Sequence, residues 1–348
     1  GVIALVLNGL VMFYLEEILV FLRTPQELME MMKEYTQIVF MGIFFVFLYN
    51  YFAYVLRAIG NSVVPLYFLG STALLNVVLD LIFVINFKWE IEGAALATVI
   101  SQAISGLGIA CYTWLKEPGL RFHKEEMVFS VKAVTEVVHR SFTASVQQSV
   151  MNFGILMVQG LVNSFGPVVM AAFTAGVKID TLAYMPAQEF GNAFSLFISQ
   201  NFGGGRNDRI RQGMKEAVKI SMLFCIVISF LVFWGARYLI AIFVGPGSED
   251  IINTGAQYLQ VEGIFYCGIG VLFLLYGFYR GVNRPGMSLL LTIISLGTRV
   301  ILAYSLAPVE SIGVLAIWWA IPIGWFLADM TGILYMFLQK KKIFGDII

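Results

Sequence analysis

Two uninterrupted charge-free runs, Ile220–Trp234 and Gly263–Tyr279, dictate the environment in which this chain folds. A helix in water needs a polar face, and these have none. Predominantly apolar stretches of about twenty residues are the signature of bilayer-spanning helices, whose backbone bonds are satisfied internally. The rest of the chain is built in the same way. Only 13% of its residues are charged, against roughly 25% in an ordinary soluble domain. The chain therefore reads as an all-α, polytopic membrane protein, and its formal net charge of zero says nothing about partners.

Ten spans can be drawn: 1–22, 34–58, 64–86, 91–115, 129–164, 167–203, 208–244, 250–281, 285–307 and 310–339. The basic residues test the drawing. Sixteen of 22, running from Arg57, Lys116 and Arg121 to Arg284 and Lys340–Lys342, fall in alternate connections on one side. Arg23, Lys33, Lys88 and Arg237 fall on the other, and Lys178 and Arg299 lie within spans. That asymmetry orients the chain in the plasma membrane with both of its ends in the cytoplasm.

The chain also resembles itself at a distance of 223 residues. Arg57-Ala-Ile-Gly-Asn61, followed by Pro65, an apolar span and Gly93, is echoed by Arg280-Gly-Val-Asn-Arg-Pro285, an apolar span and Gly313. Six drawn spans separate the two arginines, so the unit is six helices in parallel orientation, and internal repeats of this kind point to a transporter. The longest polar connection divides the chain into a partial first lobe (1–115), an inter-lobe loop (116–128) and a second lobe (129–348). Two six-helix bundles make twelve helices, so ten imply a fragment lacking two helices, roughly 80–100 residues, at its amino end. Such a fragment is not expected to transport alone. Thr24-Pro25 reads as an N-cap with proline at the first helical position. Gly203-Gly204-Gly205 reads as a helix end, and Pro186 and Pro322 fall within spans, where they would kink a helix.

Polar groups inside a span are costly and suggest function. Asp80 is the sharpest, with Asn76 one turn before it on the same face and Thr72 one turn further. These are hard oxygen ligands suited to a small cation or an alternating proton; the other reading is hydrogen-bonded packing between helices. The next span offers Thr98, Ser101 and Gln102. In the second lobe, Lys178, Asp180 and Glu189 share a span with Gln188, Asn192 and Gln200. Lys178 and Glu189 are about three turns apart on one face while Asp180 points elsewhere. A substrate path and a charge-paired network both fit them. Gln147, Gln148 and Asn152 make the preceding span amide-rich, as a wet cavity wall would be. Arg299 is the lone charge of its helix, either paired to a carboxylate or snorkelling outward.

Other features are bland. Cys111, Cys225 and Cys267 are scattered, and His123 and His139 are not a metal pair. No phosphate loop and no catalytic constellation is visible, so an enzyme is not expected. Neither a cofactor nor a nucleic-acid partner is implied.

Taken together, Arg57-Ala-Ile-Gly-Asn61, Asn76-Val-Val-Leu-Asp80, Gly93-Ala-Ala-Leu-Ala-Thr98-Val-Ile-Ser-Gln102 and Lys178-Ile-Asp180…Met185-Pro-Ala-Gln188…Phe190-Gly-Asn-Ala193…Gln200 resemble the multidrug and toxic compound extrusion (MATE) transporters, of the bacterial DinF-like branch. The resemblance spans essentially the whole chain, as the third to twelfth helices. It implies two bundles around a V-shaped cavity, working as a monomer. The activity it implies is export of organic cations or amphipathic drugs in exchange for H⁺ or Na⁺. It also implies an amino-lobe cation site onto which Asn76, Asp80 and Thr98 map. Some relatives carry a carboxylate about three turns before the Arg-Gly turn; here Ile269-Gly-Val-Leu-Phe273 has none, which shifts weight to the amino lobe. A flippase for lipid-linked oligosaccharides is the alternative, but it would call for a strongly cationic cavity, and only Lys178 and Arg299 lie within spans.

Overall fold

The computed structural model describes residues 1–21, 26–121, 130–245 and 248–339. The expected N-cap at Thr24-Pro25, most of the 116–128 loop with His123, and Lys340–Lys342 lie outside the described residues. Every regular element among the described residues is helical, as composition requires. The chain divides into two compact units, Gly1–Phe129 and Ser130–Ile348.

The first unit contains α1 (Val2–Phe13), α2 (Leu15–Phe21), α3 (Gln26–Met41), α4 (Ile43–Ala58), α5 (Val63–Asp80) and α6 (Glu90–Lys116), with a π-helical turn at Leu81–Asn86. Helix α6 packs against α3, α4 and α5. Lipid is as apolar as leucine, so helices in a bilayer associate through close packing of small residues. Helix α6 supplies these at every fourth position: Gly93, Ala97, Ser101 and Ser105 are all buried. A methyl group at Gly106 would stand 2.5 Å from the Phe45 carbonyl oxygen, so α4 and α6 touch backbone to side-chain-free backbone.

The second unit contains α7 (Val131–Asn163), α8 (Pro167–Gly203), α9 (Asn207–Val244), α10 (Glu249–Ile264), α11 (Tyr266–Gly281), α12 (Pro285–Leu306) and α13 (Leu315–Leu338). Helix α11 is apolar on all sides and buried over most of its length, packed among α8, α9, α12 and α13. Glycines set its distance from α8. A methyl at Gly277 would meet the Gly191 carbonyl oxygen at 2.4 Å, and one at Gly281 would meet Ile198 Cβ at 2.6 Å. Gly277 and Gly281 form the small-xxx-small spacing that lets two backbones meet.

Among the described residues, six single helices are long and apolar enough to cross a membrane. Two further spans are bent pairs, Met29–Met41 with Ile43–Ala58 (41°) and Glu249–Ile264 with Tyr266–Gly281 (55°). Two of the ten drawn spans fall outside that set. Val2–Phe13 has 12 residues, and the long α7 carries Lys132, Glu136, Arg140 and a row of amides.

The self-resemblance at 223 residues is geometric where the arginines stand. Asn61 N donates to Leu56 O (2.9 Å) and Gly60 N to Arg57 O (3.0 Å); Arg284 N donates to Tyr279 O (2.8 Å) and Asn283 N to Arg280 O (3.3 Å). Both are Schellman ends, closed by a left-handed residue, Gly60 (φ 92°) or Asn283 (φ 61°). The echo fails further on. Gly93 is buried in the first turn of α6 against Phe83 and Trp89, whereas Gly313 (φ 55°) makes a turn outside α13. The glycine triplet ends α8 in a third such turn, with Gly205 at φ 65° and Arg206 N bonded to Asn201 O.

Candidate functional sites in the two units

In the first unit the inward face of α5 carries Pro65, Thr72, Asn76 and Asp80, at the spacing that keeps residues on one side of a helix. Phe68 packs on Gly108 and Phe83 on Gly93, pairs fifteen residues apart along each helix, so one antiparallel register holds throughout. That register sets Thr98 opposite Val78, level with the turn from Asn76 to Asp80. Thr98 donates its hydroxyl to Ala94 O (3.0 Å), which leaves oxygen lone pairs for another partner. Asn76 Nδ2 and Asp80 Oδ1 are buried without a hydrogen-bond partner. Asp80 is the last residue of α5, and the π-helical turn starts immediately after it. Such turns are uncommon, and they break the regular ladder where a local geometry is wanted. Gln102 instead fills the notch at Gly42, where α3 and α4 bend.

In the second unit Tyr258 of α10 lies against Gly176 of α8, where a methyl group would stand 2.4 Å from its ring. One turn on along both helices come Asp180 and Glu262, which line one cavity. Asp180 is 5% exposed and Glu262 1%. Asp180 Oδ1, Glu262 Oε1, the Tyr266 hydroxyl and Arg299 Nε are buried without a hydrogen-bond partner. Asp180, Glu262 and Arg299 line a cavity of about 130 Å³, together with Tyr184, Tyr258 and Tyr276. Arg299 therefore faces two carboxylates inside the unit. Phe173 stacks on Trp318 at 5.5 Å and meets Tyr258 edge-on, closing one side.

The remaining sequence candidates are dispersed. Gln147 is buried between α7 and α12, donating to Thr292 (3.0 Å) and accepting from Ser288 (3.2 Å). Gln148 and Asn152 are exposed and bonded to each other. The cavity takes the apolar side of α7 through Met151, Ile155 and Val158. Lys178 is exposed, as are Glu189, Asn192 and Gln200. Arg280 Nη2 donates to Asn192, whose amide donates to Glu189, linking α11 to α8.

Glu262 was not among the sequence candidates, nor was Asp329, buried on α13 beside Gly268 with Oδ1 unpartnered. Each is an acid inside a drawn span, and the rule that singles out Asp80 would have found both. Glu262 is masked in sequence by the acidic start of its helix, Glu249 and Asp250, which reads as a solvated end.

The architecture is that of a polytopic helical membrane protein carrying buried polar groups in each of two units. The MatE family model matches residues 1–82 and 143–305, well over half of the chain. The chain belongs to the MatE family. It is 31% identical over 284 residues to "Probable multidrug resistance protein YpnP" of Bacillus subtilis, covering 81% of this chain and 63% of that protein. It is 23% identical over 291 residues to "Probable multidrug resistance protein NorM" of Thermotoga maritima, covering 82% and 62%. The chain thus spans somewhat under two thirds of the length of these relatives. Among solved structures it matches the Vibrio cholerae MATE transporter VcmN with a TM-score of 0.91 at 18% identity, over 99% of this chain and 78% of that one. A MOP superfamily transporter from Pyrococcus furiosus matches with a TM-score of 0.89 at 19% identity, over 98% and 77%.

Proposed function

We propose that the protein is a secondary active multidrug exporter of the plasma membrane, exchanging organic cations or amphipathic drugs for H⁺ or Na⁺ by alternating access. The observation that carries this reading is Asp80. It is a carboxylate at an α-to-π junction inside a spanning helix, with Asn76 one turn away and Thr98 level with both, in a chain of a family whose named relatives are multidrug resistance proteins. In the proposed cycle, cation or proton binding neutralises Asp80 and removes its need for a charged partner, which changes the packing of α5 on α6. The π-helical turn is where that change is easiest, because its hydrogen bonds are already irregular. Drug then leaves outward.

The test is uptake of a fluorescent cation into inverted membrane vesicles, with proton and Na⁺ gradients imposed separately. Asp80→Asn is expected to abolish gradient-driven uptake while expression persists; undiminished uptake in that variant rules out the role. Uptake that needs no gradient would mark a passive channel.

A further inference from the structure

The start of α9 carries five basic residues, Arg206, Arg209, Arg211, Lys215 and Lys219, against two acids, Asp208 and Glu216. Positive connections are ordinary on the cytoplasmic side of a membrane protein. What distinguishes these charges is where they point and at what depth.

Their direction follows from the packing of α9. Ile210, Ala217, Ser221 and Cys225 are buried in the second unit. The Phe197 ring of α8 sits over Gly213, where a methyl group would stand 2.2 Å from it. That contact fixes the rotation of the helix. Arg211, Lys215 and Lys219 follow at every fourth position, and all three are exposed. Residues so spaced form one ridge. The ridge continues into Leu223, and Ile226 and Phe230 extend the same outward stripe; these three are 67%, 58% and 62% exposed. Exposed apolar side chains on a spanning helix face lipid tails, so the basic ridge lies in line with the lipid-facing side.

Depth follows from helix length. Lys219 and Arg237 bracket a charge-free stretch of α9. At 1.5 Å per residue the two are about 27 Å apart along the axis, close to the roughly 30 Å of a bilayer's hydrocarbon core. Arg237 is held at its end by Asn253 and Glu249 of α10. Lys219 therefore stands at the level of the opposite headgroups. Lys215 is about 6 Å and Arg211 about 12 Å further out, and long basic side chains bend toward the membrane surface. Among the described residues Lys219 pairs with Glu216 (2.9 Å), while Arg211 and Lys215 have no ion-pair partner. The fixed anions at that depth are lipid phosphates, whose negative surface potential draws basic residues.

We infer that Arg211, Lys215 and Lys219 form a docking ridge for the headgroups of anionic phospholipids in the cytoplasmic leaflet, tying that end of α9 to the membrane surface. The ridge acts through charge on flexible side chains, so it selects net-negative lipids over zwitterionic ones and does not discriminate among anionic headgroups. This binding does not depend on the exporter reading.

The test is native mass spectrometry of the protein in detergent, titrated with phosphatidylglycerol or phosphatidylcholine. The wild type should prefer phosphatidylglycerol. Each basic residue near an anionic surface is worth roughly fivefold in affinity, so Arg211→Gln with Lys215→Gln should weaken phosphatidylglycerol binding by about 10- to 30-fold. Phosphatidylcholine binding should not change. Arg206→Gln with Arg209→Gln removes the same charge from the same helix start but off the ridge, and should cost at most about threefold. Equal binding of the two lipids by the wild type overturns the inference. So does an equal loss in both double variants, which would leave only a net charge that orients the helix. Displacement of the lipid by excess inorganic phosphate would overturn the lipid assignment. Should the ridge double variant not fold, the single variants Arg211→Gln and Lys215→Gln decide, together with the wild type's loss of phosphatidylglycerol as salt rises.

Discussion

Gly277 fixes how closely α8 and α11 approach, and replacing it with alanine measures that contact. The added methyl would stand 2.4 Å from the Gly191 carbonyl oxygen, where ordinary contact begins at 3.4 Å. The obstacle is backbone, which cannot rotate away, so the helices must part by about an ångström. A gap of that size forfeits a quarter to a half of the dispersion energy of each atom pair it opens. Overpacking of this kind costs about 1–3 kcal/mol, which for a unit of this size lowers the melting temperature by roughly 2–12 °C. Gly286→Ala is the matched control, since nothing lies within 4 Å of the methyl there. It should be neutral or stabilising by up to about 1 kcal/mol through helix propensity. Thermal unfolding of both variants in detergent gives the comparison. Equal stability for the two would refute the backbone contact between α8 and α11.

Gln147→Leu should destabilise by about 1–3 kcal/mol, because it strips partners from Ser288 and Thr292 in a fully buried contact. Adding Ser288→Ala should recover part of that loss in the same melting assay, and no recovery would assign the effect to packing alone. At Asn283, whose φ of 61° closes the second arginine turn, glycine should be tolerated while valine lowers the melting temperature, because a β-branched residue is strained there.

Much of the fold was legible in the sequence because a bilayer leaves few options. Charge-free runs had to be helices, and eight of the ten drawn spans coincide with an apolar helix or a bent pair among the described residues. The arginine turns were legible because a Schellman end needs a left-handed residue at a fixed offset, and Gly60 and Asn283 occupy it. Asn76 and Asp80 were legible as a pair because helical periodicity alone puts them on one face. Their level with Thr98 was not, since it depends on the register set by Phe68 on Gly108 and Phe83 on Gly93.

The second unit divides in the same way. Lys178 exposed and Asp180 buried two residues later is a helical-wheel fact, readable from spacing. The meeting of Asp180 with Glu262 is not, because they are 82 positions apart in the numbering and come together only where Tyr258 seats on Gly176. Nor did the amides of α7 declare which of them turns inward; packing put Gln147 against α12 and left Gln148 outside. By itself the sequence determined the solvent, the helices and the turns, since those follow from local hydropathy and backbone preference. Only the tertiary structure decided which buried charges share a space, because that depends on side-chain-free contacts between helices distant along the chain.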